Sequence, residues 1–395
     1  MDRETYLNTA RALAPELASR AKQAEAERNI SRDTFNTLVD TGLLRALQPK
    51  AYGGLEMDPL TFFEAQMELA TECASSGWIL GILGIHNWHL GLFPKQAIED
   101  VWADDPTRQI SSALAPTGTA EIVPGGYLIK GSWPFSSGSH HCDWAILGGF
   151  VRAAEGRVRA GAFLIPKTDY RIQDVWHVLG LRGTGSNTIV IDEPVFVPEH
   201  RFHSQAGAYA SGKFDENYVA KSISSAPMVR LPFGCVFSSA VAAPAVGVAR
   251  GALRRFVSAT ADRRSNIDRA KAASSYAVVD RFSRASAEID AAHNAFRRNW
   301  TEFQQLAENG KTVPLILRAR ARAEISLAVE RCANAVESLF QVSGSSAIFD
   351  DSAIQRSLRD VISIRAHFSA DATKAAPIHG EAVFGTLDAG PQHFL

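Results

Sequence analysis

The hydrophobic pattern of this 395-residue chain changes twice, and the order of those changes limits the folds open to it. Up to about residue 105, apolar side chains recur at helical spacing, as Leu13, Leu17, Ala21 and Ala24 do. Short alternating or β-branched runs, separated by Gly, Pro and Asp, then follow and are typical of strands. Helical spacing returns from about residue 218. A strand-rich segment between two helical ones, in the α+β class, is therefore predicted.

The two changes define three predicted domains. They are an N-terminal helical domain at 1–108, a central β-domain at 109–215 and a C-terminal helical bundle at 216–395. The central domain has the length of a sandwich or barrel. Its Gly-, Ala- and Ser-rich segment 206–217 is predicted to be a mobile loop that shapes any nearby pocket.

Local signals place several element boundaries. Ser31 is a predicted N-cap, Asp58 before Pro59 predicts another helix start, and Val123-Pro-Gly-Gly-Tyr127 predicts a hairpin turn. Strands are predicted at 127–130, 144–150, 159–165 and 188–191. Long amphipathic helices are predicted at 248–261, 270–306 and 313–341. Their arginine groups are predicted to lie on solvated faces: Arg263, Arg264, Arg297, Arg298, Arg318, Arg320 and Arg322.

Charge and cysteine content exclude several classes of function. The net charge of −1 gives no reason to expect a nucleic-acid or anionic membrane partner. The four cysteines lie far apart, which predicts reduced thiols in a reducing compartment such as the cytoplasm. Two uncharged stretches, 73–94 and 231–249, are long enough to span a membrane, but their polar residues and prolines favour buried helices of a soluble bundle. No metal site is predicted, because the sequence contains no cluster of potential ligands.

The loop at 179–187 is the first candidate for a binding site. Gly183 and Gly185 permit a close backbone approach to a ligand, while Thr184 and Ser186 offer short hydrogen bonds to a polar ring or a phosphate. Such a loop alone is more often a simple turn. A second polar cluster, Trp133–Ser139, precedes it and favours a site.

Several motifs occur together in an order that resembles the acyl-CoA dehydrogenase superfamily over essentially the whole chain. Within it they are similar to the oxygenase components of two-component flavin monooxygenases, such as those acting on secosteroid phenols or p-hydroxyphenylacetate. The motifs are Tyr52-Gly-Gly, Ser76-Gly-Trp78, His86-Asn-Trp-His89, Ser111-Ser112, Trp133-Pro-Phe-Ser-Ser-Gly138, Gly180-Leu-Arg-Gly-Thr-Gly-Ser-Asn187 and Arg356-Ser-Leu-Arg-Asp360.

The resemblance implies a C-terminal four-helix bundle, a homotetramer and a specific chemistry. Reduced flavin, FMNH₂ or FADH₂, would arrive from a separate NAD(P)H-dependent flavin reductase. It would react with O₂ at C4a and hydroxylate a small phenolic substrate, ortho to the existing hydroxyl. The chain has no strand–GxGxxG–helix signature of its own for a nicotinamide cofactor.

The same resemblance implies roles for individual residues. Ser137 would hydrogen-bond flavin N5, and His367 would deliver a proton near C4a. His86 would orient and deprotonate the phenol, Ser112 would hydrogen-bond the same hydroxyl, and Trp78 would form a pocket wall. Other flavin contacts are expected from Trp133, Arg182, Thr184, Ser186, Arg230 and Phe233.

Three alternatives remain at this stage. An acyl-CoA dehydrogenase using FAD would need a carboxylate base, yet no carboxylate follows Arg359-Asp360 until Asp371, and His367 stands near the position where that base often falls. S- or N-oxygenation by the same fold is the second alternative. A non-catalytic flavin-storage or scaffold protein is the third.

Overall fold

The structure is a computed structural model that describes residues 1–152, 158–204, 223–264 and 269–388. Helices precede and follow a sheet in the order expected from the sequence. The predicted boundary at 108/109 stays a prediction and falls between the fifth helix and the first strand. The predicted boundary at 215/216 and the predicted loop at 206–217 lie outside the described residues.

Capping side chains begin three of the five N-terminal helices, and two of these caps were predicted. The helices are α1 (Arg3–Glu27), α2 (Arg32–Asp40), α3 (Pro59–Glu72), α4 (Ala74–His89) and α5 (Lys95–Trp102). Ser31 Oγ accepts the Thr34 amide at 3.1 Å and Asp58 Oδ1 accepts the Thr61 amide at 2.9 Å. Both predicted caps are confirmed, because each side chain satisfies an amide that a first helical turn leaves free.

Replacing Asp58 by alanine is expected to lower the free energy of unfolding by about 1 kcal/mol, since the Thr61 amide loses its acceptor. Chemical denaturation followed by circular dichroism measures the change. Asp58→Asn retains an acceptor and serves as the control. An alanine variant as stable as the wild type would contradict the capping role.

The central segment forms one sheet of seven strands within the described residues. The strands are β1 (Ile110–Val123), β2 (Gly126–Ser136), β3 (Trp144–Arg152), β4 (Val158–Pro166), β5 (Arg171–Gln173), β6 (Asn187–Pro198) and β7 (Phe202–Ser204). Their order is β5-β6-β2-β1-β3-β4-β7; β1 and β3 are parallel and the other pairs antiparallel. Val123 pairs with Gly126, which confirms the predicted hairpin.

The sheet curls around a core of its own. Tyr127 of β2 and Phe163 of β4 lie 5.3 Å apart between ring centroids, although β1 and β3 separate their strands. Phe202 of β7 contacts both rings. The sheet therefore encloses its apolar face as a barrel does, while the other face of β1, β3 and β4 packs against α5.

Five helices follow the sheet in the described residues: α6 (Phe233–Thr260), α7 (Tyr276–Glu308), α8 (Leu315–Gln341), α9 (Ala353–Arg365) and α10 (Ala372–Phe384). Helices α6 to α9 pack together as the expected four-helix bundle. Helix α6 is long and apolar enough to cross a membrane, but 89% of its apolar window is buried inside the protein. The prediction of a buried helix at 231–249 is confirmed.

One predicted helix start is wrong, and two predicted helices are continuous. The helices predicted at 231–249 and 248–261 form the single helix α6, which begins at Phe233 and continues through Pro244 because surrounding helices bury that turn. Helix α7 begins at Tyr276 and not at Ala270. A short 3₁₀ turn at Ala272–Ser274 occupies the segment before α7, and helical spacing of the sequence does not distinguish it from the helix.

Arg322 of α8 contradicts the expectation that the arginines of these helices are solvated. Its side chain is 4% exposed, and its Nη1 donates to Ser326 Oγ. Helix α8 packs against α6, α7, α9 and α10, so it has little solvated surface. By contrast, Arg298 of α7 is largely exposed and pairs with Glu324.

Candidate active site

A mostly apolar cavity of about 470 Å³ opens where the sheet meets the helices. Its apolar lining comes mainly from Trp78, Ile82, Leu114, Pro134, Phe135, Trp176, Val178, Phe237 and Phe368. A small set of polar side chains also lines it: Ser112, Ser137, Ser186, Ser363 and His367. An apolar cavity with a few converging polar groups is the usual form of a site for a small molecule or cofactor.

A chain of hydrogen bonds runs from Trp78 through Ser137, in the wall of this cavity, to the Leu181 carbonyl. Trp78 Nε1 donates to Ser137 Oγ at 3.0 Å, and Ser137 Oγ lies 2.7 Å from Ser186 Oγ. Ser186 Oγ lies 2.7 Å from Thr184 Oγ1, which donates to the Leu181 carbonyl at 2.9 Å. We call Trp78, Ser137, Ser186 and Thr184 the hydroxyl relay.

The Leu181 carbonyl, at the end of the hydroxyl relay, fixes the direction in which each hydroxyl group of the relay donates. Thr184 has a single hydroxyl proton and gives it to the Leu181 carbonyl, so Ser186 must donate to Thr184. Ser137 must then donate to Ser186. Because Ser137 already accepts from Trp78, one lone pair of its oxygen remains. Ser137 is therefore an acceptor toward the cavity, and a bound N–H group would suit it.

Ser112 and His86 form a second polar pair. Ser112, at the start of β1, lines the cavity, and its Oγ lies 2.5 Å from His86 Nε2. His86 is fully buried on α4, and burial lowers its pKa to about 3. The imidazole is therefore neutral near pH 7, and it acts on the cavity through the Ser112 hydroxyl.

His367 lines the cavity directly after α9. Its Nδ1 accepts the Ser369 amide at 3.2 Å, which places the proton of the neutral ring on Nε2. Burial lowers the pKa of His367 to about 4, and the nearby Arg322 guanidinium lowers it further. His367 is therefore neutral at physiological pH and donates through Nε2.

Phe237 lies between the two histidines and was not predicted as a site residue. Its ring centroid is 6.3 Å from that of His86 and 6.4 Å from that of His367. The predicted contact Phe233, one helical turn earlier, instead stacks on Trp88 at 5.5 Å in the core. Both rings share one face of α6, and the sequence does not show which turn of that helix reaches a cavity.

The structure does not bring three other predicted flavin contacts to this cavity. Trp133 is fully buried within the sheet and donates to the Gly148 carbonyl at 2.6 Å. Arg182 lines a small polar space elsewhere, together with Glu25. Arg230 donates to the Ser225 carbonyl at 3.4 Å and is absent from the cavity lining. Thr184 lies one hydrogen bond behind Ser186 and acts through it.

Phe135 and Trp176 are cavity residues that the sequence interpretation missed. Phe135 is 70% exposed and has a φ of 67°, a left-handed conformation that is uncommon for such a side chain. Its ring meets that of Trp176 at 6.2 Å, edge to face. An exposed aromatic ring held in a strained backbone conformation is a typical feature of a binding site. In the sequence, only the Trp-Pro-Phe-Ser-Ser motif, which contains Phe135, could have indicated that this ring lines the cavity.

Three buried histidines form a cluster that begins at the Ser112–His86 pair and continues through His89 to His203. His89 lies 5.8 Å from His86 and 6.2 Å from His203 between ring centroids. Burial lowers the pKa of His203 to about 4 and that of His89 well below its usual value. These residues are neutral in the folded protein and take up protons on unfolding near pH 6.

This cluster makes the stability of the fold sensitive to acid. The unfolded chain binds more protons than the folded one below about pH 6.5, so the free energy of unfolding should fall as the pH drops toward 4. Each histidine contributes up to about 1.4 kcal/mol per pH unit to this fall in the free energy of unfolding. Asp360 acts in the opposite direction, because burial raises its pKa to about 6.

Denaturant titrations at several pH values measure this slope. His203→Gln should lower the slope by the contribution of one histidine. A slope that is the same in the wild type and His203→Gln would contradict the assignment.

Comparison with known proteins agrees with this architecture. The acyl-CoA dehydrogenase N-terminal domain family matches residues 2–102, and the acyl-CoA dehydrogenase C-terminal domain family matches residues 239–372. Fold and cavity thus define a protein of the acyl-CoA dehydrogenase class.

Relatives within this class are oxygenases. The flavin-dependent monooxygenase oxygenase subunit HsaA of Mycobacterium tuberculosis is 40% identical over 97% of this chain and 96% of its own. The crystal structure of that HsaA monooxygenase has a TM-score of 0.92, with 99% of this chain and 100% of the other covered. The p-hydroxyphenylacetate 3-hydroxylase oxygenase component of Acinetobacter baumannii is 29% identical, covering 94% and 87%. XiaF from Streptomyces sp., in complex with FADH2 and glycerol, has a TM-score of 0.89 at 27% identity, covering 98% and 96%.

The chain belongs to the family of oxygenase subunits of flavin-dependent monooxygenases. Its cofactor is therefore reduced flavin, used together with O₂. The residues present fit the reduced ring, because flat aromatic walls surround the cavity and the free lone pair of Ser137 suits the N5–H group. The dehydrogenase alternative finds no support in these relatives, and no carboxylate lines the cavity in the described residues.

Proposed function

We propose that this oxygenase hydroxylates a small phenolic ring ortho to its existing hydroxyl group. The observation that carries the proposal is that the Ser112–His86 pair and the outward lone pair of Ser137 belong to one apolar cavity. A cavity with apolar walls favours an aromatic substrate, and two separate polar ends suit a cofactor and a hydroxyl.

Ser137 is the proposed partner of flavin N5. Bound reduced flavin supplies the two electrons that activate O₂. The remaining lone pair of Ser137 accepts the N5 proton in a hydrogen bond, which makes loss of that proton more difficult. The neighbouring Trp78 and Trp176 rings exclude water from this wall of the cavity.

Ser112 and His86 are the proposed partners of the substrate hydroxyl. Ser112 contacts the phenol, and His86 lies directly behind Ser112. With Nε2 as acceptor, His86 accepts a hydrogen bond from Ser112, so that the Ser112 oxygen in turn accepts a hydrogen bond from the phenol. A phenol has a pKa of about 10, and this shift toward phenolate makes the ring a better nucleophile.

His367 is the proposed proton donor near C4a of the flavin. Its Nδ1 is held by the Ser369 amide, so the Nε2 proton is available to the cavity. Because the ring is neutral near pH 7, the donor is an imidazole and not an imidazolium. The remaining flavin contacts predicted at Arg182, Arg230, Phe233 and Trp133 stay predictions.

The partners and the cellular location are proposed on more general grounds. A separate NAD(P)H-dependent reductase would supply FMNH₂ or FADH₂, as the word "subunit" in the name of the HsaA relative suggests. The buried free cysteines support a reducing compartment such as the cytoplasm. A homotetramer is supported by exposed apolar side chains at the C-terminal end of α10, where Phe384 is 82% exposed.

Product analysis with chemically reduced flavin tests the proposal without a reductase. The purified chain, reduced FMN or FAD, O₂ and a simple phenol should give the ortho-diol in proportion to the oxygen consumed. The O-methylated analogue of the same ring should give only H₂O₂, because it has no proton for Ser112. Oxidation of an aromatic sulfide in preference to the phenol, or no product with any acceptor, would overturn it.

A further inference from the structure

Asp360 of α9 has no role in the chemistry described so far, yet it holds the loop that carries the hydroxyl relay. Its carboxylate is 8% exposed, and Oδ1 accepts the Leu181 amide at 2.7 Å. Leu181 has a φ of 54°, in the left-handed region. A leucine adopts this conformation at a cost, so an external contact must hold it there.

The carbonyl of Leu181 is the acceptor on which the hydroxyl relay depends. It accepts the Thr184 hydroxyl at 2.9 Å, the Thr184 amide at 3.1 Å and Trp176 Nε1 at 3.1 Å. The amide and the carbonyl of Leu181 thus connect a carboxylate on one side to the relay on the other. If Leu181 rotates, Thr184 loses its acceptor and the direction of the relay is no longer fixed.

Helix α9 contacts three consecutive residues of this loop. Arg359 Nη1 donates to the Leu179 carbonyl at 2.9 Å, and a Cβ on Gly180 would lie only 2.2 Å from the Arg359 carbonyl oxygen. Arg359 also pairs with Glu25 of α1. Of these contacts, only the hydrogen bond between Asp360 and the Leu181 amide involves the residue whose carbonyl ends the relay.

We propose that Asp360 is a positioning residue for the oxygenase reaction: by fixing Leu181 it keeps Ser137 an acceptor toward flavin N5. This inference rests on the proposed role of Ser137. The carboxylate touches neither cofactor nor substrate. It acts through the backbone of Leu181 and the three hydroxyl groups of Thr184, Ser186 and Ser137.

Hydrogen exchange of the protein without flavin tests the positioning step by itself. Asp360→Ala should accelerate amide exchange in a peptide covering 179–187 by roughly tenfold or more, because a charged acceptor is lost. Asp360→Asn keeps an acceptor oxygen and should restore most of the protection. Glu25→Gln weakens the ion pair of Arg359 on the same side of the loop and is the matched control, with exchange near the wild-type rate.

The second measurement is the share of consumed oxygen that appears as H₂O₂ with reduced flavin and a phenol. Asp360→Ala should raise that share several-fold, as is also expected of Ser137→Ala, whereas Asp360→Asn and Glu25→Gln should remain near the wild type. If Asp360→Ala does not fold, Asp360→Glu replaces it, since the added methylene displaces the acceptor and should likewise loosen the loop and raise the H₂O₂ share.

The outcomes separate the two ideas. Unchanged exchange in Asp360→Ala, or faster exchange with normal product yield while Ser137→Ala releases H₂O₂, would overturn the role of Asp360 and leave the proposed function standing. If Ser137→Ala itself yields normal product, the proposed role of Ser137 fails, and the inference about Asp360 fails with it.

Discussion

Replacing Ser137 by alanine should divert most of the consumed oxygen from product to H₂O₂. The variant removes the relay oxygen proposed to contact the flavin, so the N5 proton of the reduced flavin loses its acceptor. Leaving a buried N–H group without its acceptor costs about 1–3 kcal/mol, which corresponds to roughly a five- to hundredfold faster loss of the activated oxygen. Parallel assays of oxygen uptake, H₂O₂ and diol measure the partition.

Ser136→Ala is the matched control for this variant. Ser136 precedes Ser137 in the chain, and its buried Oγ has no hydrogen-bond partner among the described residues. Its removal should therefore leave the partition unchanged. Equal partition in Ser137→Ala and the wild type would show that the flavin ring does not use this hydroxyl.

Replacing His86 by asparagine should lower the rate of diol formation by about 10²–10⁴, the usual contribution of a positioned acid or base. Oxygen uptake should continue and appear as H₂O₂, since the Ser137 end of the cavity is intact. The loss should be smaller for phenols with electron-withdrawing substituents, because they ionise more readily without help from His86. Rates measured over a series of substituted phenols give this dependence.

His89→Asn is the control, because His89 lies one helical turn further along α4, packed against Phe233. It should lower stability and leave the partition between diol and H₂O₂ near the wild type. A loss in His86→Asn that is the same for all phenols would rule out the proton-transfer role and leave only an effect on packing.

The residues that lie close together in sequence were predictable, and those that meet only through packing were not. Ser31, Asp58 and the hairpin at 123–127 carry local signals, and all three are confirmed. The cavity also unites Ser112, Ser137 and His367, which the sequence interpretation named through motifs. Their assigned roles stay predictions.

Other features depend on contacts between distant elements. Arg322 follows the half-buried Arg318 and Arg320 on the same helix, and only the packing of four helices around α8 buries it fully. Phe237 and Phe233 share a face of α6, and only the tertiary structure determines which of them reaches the cavity. The contact between Asp360 and Leu181 joins residues 179 positions apart. Periodicity carries no information about such pairs.

The fixed direction of the hydroxyl relay also bears on turnover. Oxidised flavin has no proton at N5, and its nitrogen lone pair would face that of Ser137 across the same short distance. To relieve this repulsion the Ser137 hydroxyl would have to turn away from Ser186 and give up that hydrogen bond, because the Leu181 carbonyl at the other end of the relay only accepts. On the proposed role of Ser137, the site would therefore favour the dihydro form of the cofactor over the oxidised form by about the contribution of one hydrogen bond.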